Sequence, residues 1–154
     1  VEIGWTNSMT YKNWDLNVFF RAALGHSLVN TFRAFYEPLD AGAINSYNRT
    51  KTDLQIPELT VAQFSSLYVE KADFFRLDNA TLGYNFDMAN STMFSNLRLY
   101  LSVQNAFIIT NYQGIDPDPS LVDANDGNVL APGIDRRNNY YTNRTFTFGL
   151  NVGF

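Results

Sequence analysis

The side chains able to do chemistry are few and scattered in this chain. His26 is the only histidine and there is no cysteine, so neither a metal site nor a histidine-based triad can be assembled around it. It reads instead as a residue at the end of a strand. Asp116 and Asp118, in Gly114-Ile115-Asp116-Pro117-Asp118-Pro119, would serve as paired carboxylates only if they faced one another across a cleft. The prolines flanking Asp118 make that segment a stiff turn. The run Asp123-Ala124-Asn125-Asp126-Gly127-Asn128 has the composition of a calcium loop. Its glycine falls one place too early, however, and no glutamate closes it, so an Asp-Gly turn is the better reading. Arg136-Arg137, beside Asp135, is the most pointed charge feature. A guanidinium pair of this kind clamps an anion or pairs with the neighbouring carboxylate. The nine glycines are dispersed and make no phosphate-cradling loop. Of three glycosylation triplets, at Asn48, Asn79 and Asn143, two fall at or inside expected strands and are read as chance. Nothing here assembles a catalytic centre, and no cofactor is expected.

What would position such residues is set by composition and periodicity. The chain has 154 residues, a net charge of −4, thirteen Phe and nine Tyr. A negative chain without a basic stripe is not built to neutralise phosphates, which argues against nucleic-acid binding. The aromatic load requires an apolar environment to receive it. No run reaches the roughly 18 apolar residues of a membrane-spanning helix, and no basic leader with a small-residue cleavage site is present. The chain opens in a strand-like pattern, Val1-Glu2-Ile3-Gly4-Trp5, which reads as a cut through a larger protein.

Period-two alternation is the dominant pattern. In Thr145-Phe146-Thr147-Phe148-Gly149-Leu150-Asn151-Val152-Gly153-Phe154 every even position is apolar, as expected of a strand with two unlike faces. Leu97 to Gln104 alternates with odd positions apolar, and Asp15 to Leu24 with even ones, Phe19 being the misfit. A further strand covers about Phe74 to Phe86, with a change of phase that predicts a bulge near Asn79. The fifth is the opening stretch, with Val1, Ile3, Trp5 and Met9 on one face. The expected strands are about 1–10, 14–26, 73–86, 97–108 and 142–154. Such lengths exceed the usual 5–6 residues of soluble strands and suit the roughly 9–11 tilted residues of an outer-membrane strand.

The connections alternate between short (Tyr11-Lys12-Asn13-Trp14; about 87–96) and long (about 27–72 and 109–141), the asymmetry of outer-membrane barrels. Polar faces carrying Asn17, Arg21, Arg98, Ser102, Gln104, Thr145, Thr147 and Asn151 suit a water-facing lumen. Trp5, Tyr11, Trp14, Tyr84, Phe86, Tyr140 and Tyr141 gather near strand ends, where interfacial girdles belong. Within the first long connection, Leu28, Phe32, Phe35, Tyr36 and Leu39 recur at helical spacing, and Thr60-Val61-Ala62-Gln63 resembles a capping box opening a second short helix. The same alternation also fits a soluble β-sandwich, since patterning does not say whether lipid or a second sheet covers the apolar face.

The strings Phe75-Arg76-Leu77-Asp78-Asn79-Ala80-Thr81-Leu82-Gly83-Tyr84-Asn85-Phe86, Leu97 through Asn105, Thr110-Asn111-Tyr112-Gln113-Gly114-Ile115-Asp116-Pro117, Gly133-Ile134-Asp135 and Arg144-Thr145-Phe146-Thr147-Phe148-Gly149-Leu150 resemble the C-terminal end of SusC-like (SusC/RagA) TonB-dependent transporters of the Bacteroidetes. The resemblance implies an all-β, antiparallel transmembrane barrel of about 22 strands, of which this chain supplies the last five, with two long extracellular loops at about 27–72 and 109–141. It also implies location in the bacterial outer membrane, an upstream plug domain that is absent here, TonB coupling through the missing N-terminal part, and a SusD-like lipoprotein lid. The expected activity is import of oligosaccharides or peptides without covalent change, hence no enzyme. Other expected partners are the remainder of the same barrel and outer-membrane lipid. Asp116, Arg136, Arg137 and Tyr140 are candidate lumen or ligand contacts, with loop-folding contacts the competing reading for each. Phe148, Leu150, Val152 and Phe154 look like the C-terminal signal read by the barrel-assembly machinery, and are also lipid-facing positions. The alternatives are a passive barrel or adhesin, which shares every strand feature, and a soluble carbohydrate-binding sandwich.

Overall fold

The computed structural model describes residues 1–38, 50–51, 56, 58, 65–89, 93–119 and 133–154. The second helix expected near Thr60, the turn expected at Asp123–Asn128 and the triplet at Asn48 lie outside the described residues. The chain divides into two compact units. One, formed by Val1–Leu24, Phe74–Ile109 and Thr142–Phe154, is termed the wall; the other, Gly25–Asp73 with Thr110–Tyr141, is termed the loop unit.

The wall contains strands β1 (Glu2–Tyr11) and β2 (Trp14–Ala23). The strands of the loop unit are β3 (Ser27–Asn30) and β4 (Val69–Lys71). The chain then returns to the wall with β5 (Phe74–Phe86) and β6 (Asn96–Thr110), passes through β7 (Ile134–Asp135) in the loop unit, and ends with β8 (Thr145–Gly153). The wall is one five-stranded sheet in the order β1-β2-β5-β6-β8, with antiparallel ladders between β1 and β2, β2 and β5, and β6 and β8. Each wall strand therefore lies beside its predecessor in the wall. β1 and β8 form the two edges, so among the described residues the sheet is open.

Register sorts the side chains onto two faces. Across the β1–β2 ladder Ile3 pairs with Ala22, Trp5 with Phe20, Met9 with Leu16 and Tyr11 with Trp14. Across β6–β8 the pairs Leu97–Val152, Leu99–Leu150, Leu101–Phe148 and Val103–Phe146 continue the apolar set. The phase change in β5 is resolved by a bulge: Phe19 pairs with Asn79 and Phe20 with Leu77, leaving Asp78 as the extra residue. Leu77 and Leu82 thereby share the apolar face. Phe19, the misfit of β2, lies on the opposite face, where its ring comes within 3.5 Å of the space a side chain at Gly4 would take.

Aromatic rings cross the apolar face in two rows. Near the turn between β1 and β2, Trp14 meets Tyr84 edge-on at 4.8 Å and Tyr84 meets Phe86 at 4.9 Å. Toward the opposite strand ends, Trp5 stacks on Phe20 at 5.3 Å, Phe20 on Phe75 at 5.4 Å, and Phe75 tilts against Phe107 at 6.3 Å.

Four expectations need correction. β2 ends at Ala23 rather than 26, because Gly25 takes φ +77° and the backbone leaves the ladder there. β8 begins at Thr145 rather than 142. The two long connections are also more than loops, for β4, β3 and β7 make a three-stranded sheet of their own, with β3 antiparallel to β4 and parallel to β7. The helix α1 spans only Thr31–Tyr36. Leu28, expected at its start, lies instead in β3, buried with Ala72 and Tyr112. Asn30 sets the boundary, its Oδ1 accepting the Arg33 N–H at 3.1 Å as an N-cap.

Candidate functional site

The polar face of the wall carries a ladder of side-chain contacts that joins its strands. Asp15 on β2 and Arg98 on β6 meet across the intervening β5 through a two-point pair, Nε to Oδ1 at 3.0 Å and Nη2 to Oδ2 at 2.5 Å. Asn85 Nδ2 donates a further bond to Asp15 Oδ1 at 3.0 Å. The pair can close because it passes over Gly83, where an added Cβ would lie 2.6 Å from the Asp15 carboxylate oxygens. A similar close approach occurs between Tyr100 and Gly149, paired across β6 and β8, where the phenol ring occupies the space of the missing side chain. Next to the bulge, Arg21 Nε donates to Asp78 Oδ2 at 2.8 Å and Arg76 Nε lies 3.8 Å from Oδ1. Both guanidiniums stand over the Phe74 ring, at 5.6 and 5.2 Å. Hydroxyl and amide pairs fill the intervals: Asn17 to Ser8 at 2.6 Å, and Thr81 with Ser102 at 2.9 Å. These contacts tie neighbouring strands of the wall to one another on its polar face.

The loop unit is organised around buried polar groups. Asp135, only 1% exposed, accepts at Oδ2 from the Tyr112 hydroxyl and the Ile115 N–H, both at 2.9 Å, and at Oδ1 from Asn139 Nδ2 at 3.0 Å. Its backbone carbonyl accepts from Thr31 Oγ1 at 2.7 Å. A second cluster centres on Arg33, whose Nε donates to Glu37 at 2.7 Å and whose Nη1 donates to Glu70 at 2.5 Å. Asn30 Nδ2 and the Gln113 N–H also donate to Glu70, each at 3.2 Å. Burial acts to lower the Arg33 pKa, but the hydrogen bonds to Glu37 and Glu70 outweigh it and the net direction is up. Burial, followed by the bond to Asp135, pushes the Tyr112 hydroxyl far above the usual phenol range. These groups join segments distant in sequence into one folded body.

Asp116, Arg136, Arg137 and Tyr140 all fall in the loop unit but do not form one constellation. Asp116 is buried, and its Oδ1 accepts the Asp118 N–H at 3.0 Å, the local turn that its prolines suggest. Arg137 lies over the Phe35 ring at 4.6 Å. The Arg136 carbonyl accepts the Asn139 N–H at 3.0 Å. Tyr140 is 93% exposed. His26 Nε2 donates to the Pro117 carbonyl at 3.1 Å. On β8, Phe148, Leu150 and Val152 share the apolar face, with Phe148 72% exposed, and Phe154, just past the strand, tilts its ring against Phe94 at 5.7 Å. Among the described residues there is no cluster of three or more histidine or acidic side chains placed to hold a metal.

No family model matches the chain. Over 168 residues it is 33% identical to TonB-dependent receptor P3 of Formosa agariphila, covering 99% of this chain and 16% of that receptor. Over 162 residues it is 30% identical to TonB-dependent receptor SusC of Bacteroides thetaiotaomicron, covering all of this chain and 15% of SusC. The chain belongs to the SusC-like TonB-dependent receptors. It spans about a sixth of the length of these relatives. A solved structure of the RagAB peptide transporter superposes with a TM-score of 0.75 at 22% identity, covering 98% of this chain and 17% of that one.

As a SusC-like chain the protein resides in the bacterial outer membrane and belongs to a family of receptors rather than enzymes. The five-stranded antiparallel sheet matches the RagAB fold. Sequence reasoning missed the Arg33–Glu37–Glu70 and Asp135–Tyr112 clusters in this SusC-like segment. Glu37 lies four residues from Arg33 and Asn139 four from Asp135; Thr31, Tyr112 and Ile115 lie 20 to 104 residues from Asp135, and Glu70 lies 37 from Arg33.

Proposed function

We propose that the wall is a stretch of the transmembrane barrel of a TonB-dependent importer, its apolar face against lipid and its polar face lining the lumen. The observation that carries this reading is the single apolar face running across five strands of 9 to 15 residues, crossed by two rows of aromatic rings. An outer-membrane wall needs strands of that length and girdles at both interfaces. The open edges at β1 and β8 are the places where the remaining strands of a barrel of about 22 would pair. In this reading the loop unit is extracellular, a SusD-like lipoprotein covers the mouth, and TonB acts through a plug supplied by other parts of the receptor. The solute is an oligosaccharide or a peptide, and RagAB, a peptide transporter, supports the second. It passes without covalent change. Exposed Tyr140, with Arg136 and Arg137 on the same segment, contacts ligand or partner, whereas Asp116 serves the fold of the loop. Phe148, Leu150, Val152 and Phe154 present the strand recognised during barrel assembly.

The test is the mass and subunit content of the native detergent-extracted particle containing this chain. A particle far heavier than 17.5 kDa, holding the other barrel strands and a lipoprotein, is expected. A water-soluble particle of 17.5 kDa that needs no detergent would overturn the wall assignment and favour a sandwich.

A further inference from the structure

The apolar face is not uniform. It holds a groove of about 330 Å³ whose lining includes Trp14, Leu82, Tyr84, Leu99, Leu101 and Phe148. Its lining is almost wholly apolar. Leu82 stands on β5, between β2 and β6, and is 43% exposed. Trp14 and Tyr84, from near the β1–β2 turn, contribute aromatic rings to the lining, and Leu82, Leu99 and Leu101 contribute aliphatic side chains. Lys12 stands in the turn that joins Tyr11 to Trp14, two residues before a residue that lines the groove, and holds its ammonium 5.4 Å from the centre of the Tyr11 ring.

We propose that this groove seats one acyl chain of a glycerophospholipid, with the headgroup phosphate at the Lys12 end. The inference rests on the wall reading and goes beyond it, since a lipid-facing wall requires only a fluid shell whereas this groove selects one bound molecule. Three features fix the occupant. The groove is continuous with the surface that meets the bilayer, so its contents come from the bilayer. Its apolar lining offers nothing to a peptide backbone or a sugar, whose polar groups would be left unpaired on entering it. The ammonium at the aromatic end complements a phosphate, and an aromatic belt lies at the depth where headgroups begin.

The experiment uses the full-length receptor that contains this chain, purified in a maltoside detergent, titrated with phosphatidylethanolamine and examined by native mass spectrometry. Leu82→Trp fills the groove from its floor, while Ile3→Trp adds the same bulk to the apolar face away from it. The wild type and Ile3→Trp are expected to retain one phospholipid more than Leu82→Trp at collision energies that strip the fluid shell. Lys12→Glu is expected to weaken that retention at least several-fold. Equal counts in the wild type and Leu82→Trp, or equal losses in Leu82→Trp and Ile3→Trp, would overturn the proposal. If Leu82→Trp fails to assemble, Leu101→Phe fills the same groove with less bulk and is judged by the same counts. A wild-type receptor absent from the outer-membrane fraction would refute the wall reading itself. A correctly inserted receptor with unchanged counts would refute the groove alone.

Discussion

In the wall, large apolar side chains such as Phe146, Phe148 and Leu150 stand more than half exposed on one face, while the side chains that bond to one another are polar and lie on the other. In the loop unit the largest fully buried side chains are Tyr68, Asn30 and Asp135, two of them polar and each satisfied by named partners. In the proposed reading the wall leaves its hydrophobic burial to lipid, and charge and hydroxyl contacts tie strand to strand. Among its described residues the loop unit is held by carboxylates, Asp135 and Glu70, that each collect three donors. Stability in the first depends on the surroundings, and in the second on internal polar satisfaction.

The comparison is broken most severely at Arg33. Arg33→Met removes the guanidinium shared by Glu37 and Glu70 and leaves both carboxylates in place without it, at a cost of about 3–5 kcal/mol. Hydrogen exchange of residues 27–37 is expected to become fast while the wall strands keep their protection; loss of protection in both units would show that the cluster supports more than the loop unit.

Next comes the face of β8. Leu150→Arg is expected to cost about 2–4 kcal/mol at the bilayer midplane and to lower the yield of assembled receptor, whereas Asn151→Arg on the opposite face is tolerated. The fraction of heat-modifiable, folded barrel on a gel measures both, and equal losses would abolish the distinction between the faces.

A smaller effect sharpens the account of the polar face. In Gly149→Ala the new Cβ enters the space held by the Tyr100 ring, an overpacking expected to cost about 1–3 kcal/mol. Tyr100→Ala in the same chain should recover part of it, as read by urea unfolding of the refolded receptor.

The mildest change is Tyr112→Phe, expected to cost about 1 kcal/mol because the Ile115 N–H still occupies Asp135 Oδ2. Tyr112 also carries a pH signature. Its folded pKa is raised, so the folded loop unit holds the phenol proton more tightly than the unfolded chain does. Its contribution is intact below the unfolded value of about 10 and is lost as pH rises above it. Exchange protection of residues 110–116 should fall above about pH 10 in the wild type, and less steeply in Tyr112→Phe.

The wall was largely legible because its information is local. Alternation in β8 and β6 gave the faces, and the change of phase between Leu77 and Leu82 predicted a bulge whose extra residue is Asp78. Phe19 appeared as a misfit because its role, filling the space beside Gly4, is a cross-strand matter. The upper aromatic row was seen only at Trp5, since Phe20, Phe75 and Phe107 join it through pairing rather than spacing. The loop unit was mostly illegible. Leu28 fits a helical spacing, yet it went to a strand because Asn30 caps the helix one residue before Thr31. Asp135 looked like a partner for its arginine neighbours, whereas its oxygens collect donors from Tyr112, Ile115 and Asn139. No periodicity reports a carboxylate that gathers donors from segments twenty residues away.

The bulge in β5 bears on how such a strand tolerates changes in length. Removing Asp78 would leave Leu77 followed by Asn79, Ala80, Thr81 and Leu82, an unbroken alternation with the aliphatic residues still on one side. Deleting a residue elsewhere along the strand would instead throw one half of it inside out. Position 78 is therefore the place where this strand can gain or lose a residue over evolutionary time at the expense of only the contacts to Arg21 and Arg76.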